Sequence, residues 1–260
     1  MALTYGEYLK LDALLTQQHV MSDPEEHDEL LFIVIHQVYE LWFKLTLHEF
    51  DKLCADLTAG RLFGAISTLQ RVRTIMKTLV GQLDILETMT PMSFNSFRDR
   101  LETSSGFQSA QFREFEFALG NKRREMMKPA AADAEGVRRI EKRLHAKSLV
   151  DHFYDFLETL GVQIPAELKN KPVTEPTRAD ERIQDEILKL YRTRPDVAIL
   201  LELMTDFDEG LQEWRYRHVK LVERTIGNKQ GTGGSLGVEF LKRSLFQPVF
   251  PDLWAVRHRL

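Results

Sequence analysis

The stretch SDPEEHDELLFIVIHQVYELWFKLTLHEFDKLCADLTAG, residues 22–60, decides the fold class. Ser22-Asp23-Pro24-Glu25-Glu26 carries the marks of a helix start, with proline near the first helical position and acids in the first turn. Beyond it no proline or glycine occurs until Gly60, so one helix of about 54 Å is expected, at ~1.5 Å per residue. Downstream, Ile66, Leu69, Val72, Met76, Leu79, Leu83 and Leu86 step by three or four residues, the seam of a second long helix. Upstream, Thr4-Tyr5-Gly6-Glu7 reads as a capping box opening a short helix with Tyr8, Leu11, Leu14 and Leu15 as its apolar stripe.

The remainder continues in the same period. Ser93 is expected to cap a short helix carrying Phe94, Phe97, Arg98 and Leu101, and Ser104-Ser105-Gly106 to form a turn. A Phe-rich helix is expected over 107–119, closed by Gly120, and further helices over 134–145, 147–160 and about 179–193. Pro165, Pro172 and Pro176 mark 162–178 as a connector. A second very long helix runs from Pro195 to about Ile226, then a glycine-rich loop at 227–237, then short helices broken by Pro248 and Pro251. Strand alternation is absent, so the reading is all-α, a helical bundle in a single domain over 1–260.

Composition agrees. Gly 14 and Pro 9 make 23 of 260 residues, about 9%, fewer breakers than the usual ~12%. The net charge of −4 lacks the basic footprint of a nucleic-acid binder. Residues 122–147 hold nine Lys/Arg against four acids, but no aromatics interleave, so this reads as a solvated face. The single cysteine, Cys54, excludes a disulfide framework, a Cys-ligated zinc site and an iron–sulfur cluster, and is compatible with a cytoplasmic location. The N-terminus lacks the pattern of a signal peptide. The longest pure apolar run, Leu30 to Ile35, is six residues against the ~20 of a spanning helix, so no membrane association is expected.

Two histidines interrupt the apolar faces of the two longest helices. His36 lies four residues after Phe32 and four before Glu40; His218 lies four after Trp214 and four before Val222. Each alone is compatible with a satisfied core histidine, because a buried imidazole needs a partner. Together they permit a planar cofactor held between facing helices, with one imidazole on an iron and the other across the ring in a substrate pocket. The other histidines (His19, His27, His48, His145, His152, His258) show no zinc-ligand spacing. Arg98, on the face of Phe94 and Leu101, is either a snorkelling surface arginine or a bidentate clamp on a carboxylate. The loop Gln230-Gly231-Thr232-Gly233-Gly234-Ser235-Leu236-Gly237 is neither a Walker A loop nor a dinucleotide fingerprint. It is a flexible turn, or a lid whose Thr232 hydroxyl holds a small zwitterion or anion.

The blocks HDELLFIVIHQVYELWFKL (27–45), LETMTPMSFNSFRDRL (86–101), SSGFQSAQFREFEFALGNK (104–122), WRYRHVKLVERTIG (214–227) and GTGGSLGVEFL (231–241) resemble, in order and spacing, bacterial tryptophan 2,3-dioxygenases. The match extends from the N-terminal LTYGEYL and is loose only over about 123–195. The resemblance implies a homotetramer of all-helical cytoplasmic subunits whose two long helices sandwich haem b. Its ferrous iron and O2 would cleave the indole 2,3-bond of L-tryptophan to give N-formylkynurenine. It implies His218 as the axial iron ligand, His36 as the catalytic acceptor for the indole N–H, and Phe32-Ile33-Val34-Ile35 as pocket-lining residues beside it. Arg98 is implied as the carboxylate clamp, with Phe94, a position held by tyrosine in some relatives, next to it. Thr232 is implied as the contact to ammonium and carboxylate, and Ser105 and Gly106 as residues lining the haem. Tyr5 and Tyr8, in an N-terminal segment of residues 1–20, are implied to reach a neighbouring subunit's pocket. Two other readings share these residues: a related haem enzyme inserting one oxygen atom to make an oxindole in a biosynthetic pathway, and a haem- or tryptophan-binding module without turnover.

Overall fold

The computed structural model describes residues 2–130, 133–227, 229, 231, 232 and 237–260. Among them the chain is all helix and loop. Helices α1 (Tyr5–Leu9), α2 (Leu11–Leu14), α3 (His27–Thr58), α4 (Leu62–Leu86), α5 (Pro91–Phe97) and α6 (Ala110–Ala118) form the first half. Helices α7 (Ala134–His145), α8 (Leu149–Thr159), α9 (Ala166–Lys169), α10 (Glu181–Thr193), α11 (Pro195–Ile226), α12 (Val238–Lys242) and α13 (Pro251–Ala255) follow. Helix α4 is the spine. The two 32-residue helices α3 and α11 both pack along it, and α3 also carries α6 and α8. The expected seam is the buried one: Leu69, Val72, Met76, Leu79, Leu83 and Leu86 are all in the core.

Helix starts are where the structure departs from the sequence reading. The Thr4–Glu7 capping box forms, but Lys10, at φ +55°, splits the expected single helix into α1 and α2. Helix α3 begins at His27 rather than at Pro24. The reason is Glu29, 1% exposed, whose carboxylate reaches back to accept from the Met21 and Ser22 amides (2.8 and 2.9 Å) and the Ser22 hydroxyl. Ser22 in turn accepts the Glu26 N–H at 2.8 Å, so residues 21–26 are folded into a capping loop. At α5 the cap is Thr90, whose Oγ1 accepts the Ser93 N–H, with Pro91 in the first turn; Ser93 lies inside the helix. The Phe-rich segment opens with a 3₁₀ turn, Gly106–Gln108, because Ser109 caps α6 by accepting from Phe112.

Residues 122–147 are not one solvated face. Arg139 pairs with Glu114 (2.8 Å), Arg143 pairs with Asp51, and Lys122 is buried against the Ala146 carbonyl. By length and composition α3 qualifies as a membrane-spanning candidate, with a window of mean hydropathy 1.4 that the six-residue-run criterion overlooked. Its place here is between α4, α6 and α8, with Phe50, Leu53 and Leu57 in the core. The C-terminus is tied to α11 by Asp208, fully buried, which accepts from the amides of Val249 and Phe250 and from the Trp254 indole N–H.

The Glu29 cap carries a pH signature. Burial alone would raise its carboxyl, but the bonds from Ser22 and Met21, with the Arg100 charge, outweigh it and hold the group below its ordinary 4.5. A carboxyl depressed in the folded state contributes stability that is present above the unfolded value and lost as pH falls through the folded one. Thermal denaturation of Glu29→Gln across the acid range is expected to show a loss of about 2 kcal/mol at neutral pH and a flatter acid limb than the unaltered chain. Parallel acid limbs would remove Glu29 from this role.

Candidate functional site

A cavity of about 310 Å³ opens between α3, α5, α6, α11 and the segments that follow α5 and α11. Its walls are mostly apolar. The Phe32 ring lies 5.7 Å from Phe94 and 5.6 Å from Phe97, and 4.1 Å from the His36 imidazole. Phe94 is buried and Phe97 fully so.

His36 owes its chemistry to its own helix. Its Nδ1 lies 2.7 Å from the Phe32 carbonyl oxygen. A carbonyl only accepts, so Nδ1 carries the proton and Nε2 is left as an acceptor. Burial lowers the ring's pKa, offset in part by the Phe32 carbonyl and the Glu40 charge. The neutral tautomer therefore prevails at pH 7.

His218 is different. It is half-buried and lines the same cavity, and none of the hydrogen bonds among the described residues involves its ring. Burial, with the nearby His36 adding to it, pushes its pKa down to about 4. It is held by stacking: the Trp214 ring lies one helical turn away, 5.3 Å between centroids and 9° from parallel. The Trp214 indole N–H donates to the Tyr39 hydroxyl at 3.5 Å, and that hydroxyl donates to the Leu79 carbonyl at 2.6 Å. Helices α3, α4 and α11 thus meet behind His218.

Arg98 enters the cavity lining from the 3₁₀ segment Arg98–Leu101, one turn after Phe94. Ser105 and Gly106 line it from the next turn, and a Cβ placed on Gly106 would meet nothing within 4 Å. Thr232 also lines it, and its Oγ1 donates to the Ser104 carbonyl at 2.5 Å, joining the loop after α11 to that turn. The loop closes at Gly237 (φ +58°), where a Cβ would sit 2.8 Å from the Lys229 carbonyl oxygen, so only glycine fits. Gly233, Gly234, Ser235 and Leu236 lie outside the described residues.

The structure thus gathers Phe32, His36, Phe94, Arg98, Ser105, Gly106, His218 and Thr232 around one cavity. It does not bring Ile33, Val34 or Ile35 there. Successive helical residues turn by ~100°, so Ile35 is in the core, Ile33 is half-buried and Val34 is 38% exposed. Tyr5 and Tyr8 are exposed on α1, away from this chain's own cavity. Sequence reading missed Tyr39, Arg113, Glu116, Arg123 and Arg215, all of which line the cavity. Their signal was their position: Tyr39 one turn after His36, and charges set between phenylalanines in QFREFEF.

Comparison with known proteins gives the family. The chain matches the family described as Tryptophan 2,3-dioxygenase over residues 1–158 and 181–260. The chain belongs to the tryptophan 2,3-dioxygenase family. It is 53% identical over 256 residues to the Tryptophan 2,3-dioxygenase of Herpetosiphon aurantiacus, covering 98% of each chain. It is 51% identical to that of Anaeromyxobacter dehalogenans, over 100% of this chain and 97% of the relative, and 46% identical to that of Kineococcus radiotolerans, over 98% and 90%. The segment left unmatched by the tryptophan 2,3-dioxygenase family, 159–180, is the connector around α9, which lines none of the cavity.

Replacing Tyr39 by Phe removes the hydroxyl that links Trp214 to Leu79 and leaves that carbonyl and the indole N–H unpaired. Urea unfolding is expected to show a loss of about 1–2 kcal/mol. A variant as stable as the parent would show that the stack stands without it.

Proposed function

We propose that this chain is a haem-dependent dioxygenase that cleaves the indole 2,3-bond of L-tryptophan with O2 to give N-formylkynurenine, the entry to tryptophan degradation. The observation that carries it is the pairing of a partnerless His218 with the acceptor Nε2 of His36 in one apolar cavity of a chain of this family. The names of the relatives lend no support to the one-oxygen, oxindole-forming alternative.

The residues fit haem b. Among the described residues no three His, Cys, Asp or Glu side chains cluster as a metal cage; the cavity offers two neutral imidazoles, and in this reading His218 holds the iron while His36 meets the substrate. The open space at Gly106, beside Ser105, admits a flat ring close to the backbone. The ferrous haem iron supplies the redox chemistry through which O2 reacts with the closed-shell indole.

The chain's own residues bind and orient. The Trp214 stack fixes the plane of His218, the residue that would hold the haem iron. Nε2 of His36 accepts the indole N–H, and an analogue lacking that donor leaves a buried acceptor unpaired, which selects indole over phenyl. Phe32 and Phe94 wall the ring. The Arg98 guanidinium clamps the carboxylate of the zwitterion, and Thr232 contacts its polar end from the loop. Closing that loop excludes water.

The same reading makes the protein a cytoplasmic homotetramer. Its support is exposed apolar surface: Leu3, Tyr5, Tyr8 and Leu9 at the N-terminus, and Leu30, Val34 and Leu41 on one stripe of α3. Tyr5 and Tyr8 then complete a neighbour's pocket.

Two measurements test this. Haem-loaded, reduced protein given L-tryptophan and O2 is expected to yield a product heavier by two oxygen atoms. Arg98→Ala in the same assay should raise KM on the order of 100-fold, the loss of a charge-assisted pair, with the haem spectrum intact. A product with one added oxygen, or none, overturns the dioxygenase reading, and an unchanged KM removes the clamp. Deleting residues 1–9 is expected to cut turnover at least tenfold and lower the mass in solution. Full activity in the truncated chain would count against the lent segment.

A further inference from the structure

A carboxylate shares the helix face of His36. Glu40 lies one turn beyond it, as Phe32 lies one turn before it, and all three line the cavity. Glu40 is half-buried. The surroundings are apolar: the rings of Phe43, three residues on, and of Phe112, on α6, line the same cavity with 5.5 Å between their centroids. A carboxylate in such a place costs free energy unless a donor holds it. The donor comes from another helix. Gln111 of α6 gives its Nε2–H to the Glu40 carboxylate at 2.8 Å and to the Glu40 carbonyl at 2.9 Å. One amide therefore fixes the side chain against its own backbone and joins α6 to α3.

Gln111 is neutral, and none of the ion pairs among the described residues involves Glu40, so its charge is not cancelled by contact. In an apolar cavity such a charge reaches further than it would in water. It reaches His36, where it favours the protonated ring against the effect of burial. The other charged side chains of the cavity are Arg98 after α5, Arg113 and Glu116 of α6, Arg123, and Arg215 of α11; none of them is among the groups that act on His36. From α11, His218 faces the cavity as a neutral ring. An anion near a neutral imidazole raises the basicity of the nitrogen that carries the lone pair, and a more basic nitrogen accepts a stronger hydrogen bond. Nδ1 is committed to the Phe32 carbonyl, so the gain falls on Nε2.

We propose that Glu40, held in place by Gln111, is a positioning residue for the indole: the charge on its carboxylate strengthens Nε2 of His36 as the acceptor of the indole N–H. This rests on the dioxygenase reading above. Phe32, His36 and Glu40 then work as one unit at four-residue spacing. The Phe32 carbonyl decides which nitrogen of His36 accepts, and Glu40 sets how strongly it accepts. The stronger that acceptor, the greater the penalty for an analogue that brings no N–H.

The test separates charge from packing. The haem-loaded full chain is compared with Glu40→Gln, which keeps the shape and an oxygen for Gln111 but removes the charge, and with Glu40→Asp, which restores the charge. Affinity is measured for L-tryptophan and for its analogue methylated at the indole nitrogen, which has no N–H to donate. Glu40→Gln is expected to weaken L-tryptophan about fivefold, on the scale of one weakened hydrogen bond, and to leave the methylated analogue and the Soret band unchanged. His36 accepts only while neutral, and loss of the Glu40 charge lowers its pKa, so the acid limb of kcat/KM for L-tryptophan should move to lower pH. Glu40→Asp should return both readouts toward those of the unaltered chain. If Glu40→Gln weakens both ligands alike, or leaves the acid limb in place, Glu40 serves packing alone; this role is overturned and the dioxygenase reading stands. Equal affinity for the two ligands in the unaltered chain removes the His36 acceptor and this role with it. If the unaltered chain neither binds nor turns over L-tryptophan, the dioxygenase reading and this role fall together.

Discussion

A neutral imidazole inside a protein normally finds a hydrogen-bond partner, because leaving one unmade costs on the order of 1–3 kcal/mol. His218 has none among the described residues, yet it is fixed by an indole stacked almost parallel to it. The rest of the site is arranged around that group. Stacking constrains the ring without occupying either of its nitrogens. Trp214 is in turn tied to Tyr39 of α3, and Tyr39 to Leu79 of α4. The three long helices are locked together at the point where the cavity needs a rigid back wall.

The two histidines then divide their work by what their helices do to them. His36 spends its Nδ1 proton on the carbonyl one turn earlier and presents an acceptor; His218, which makes no such bond among the described residues, is the ligand in the proposed function. The backbone hydrogen bond fixes the tautomer of His36 and leaves its Nε2 lone pair facing the cavity; the division of roles belongs to the proposed function. Burial and mutual proximity keep His218 neutral, which a metal ligand requires.

The fold was legible from helix period and breakers, because those report local physics. The α7 and α11 boundaries fell at 134–145 and 195–226, where periodicity and Pro195 put them. What failed was capping that depends on a side chain reaching back along the chain: Glu29 moved the start of α3, and Lys10 split the first helix, neither through a residue type that announces it. In the site, residues spaced along helix faces line one cavity, whereas the Ile33–Ile35 run was taken as a block although successive helical residues turn by ~100° away from it. The buried arginines were read as surface or not read at all. Only tertiary packing shows that Arg113 is inside, since an arginine between phenylalanines is as consistent with an exposed helix edge.

Rigid and movable parts of the cavity come from different kinds of sequence. The imidazoles sit on helices whose hydrogen bonds and packing leave them one position each, and that precision is what orienting a flat substrate over a flat cofactor needs. The residues proposed to meet the polar end of the substrate come from loops: Arg98 from a 3₁₀ turn, Thr232 from a glycine-bounded segment that hydrogen-bonds the turn at Ser104. A zwitterion must enter from water and be desolvated on arrival, so the groups that replace its hydration cannot all be fixed in place beforehand. The Thr232 hydroxyl is bonded to the Ser104 carbonyl, and in the proposed function that single bond is exchanged for one to the substrate at little cost in free energy. In the proposed function, selectivity for the indole thus resides in the helices, and admission of the amino acid resides in the loop.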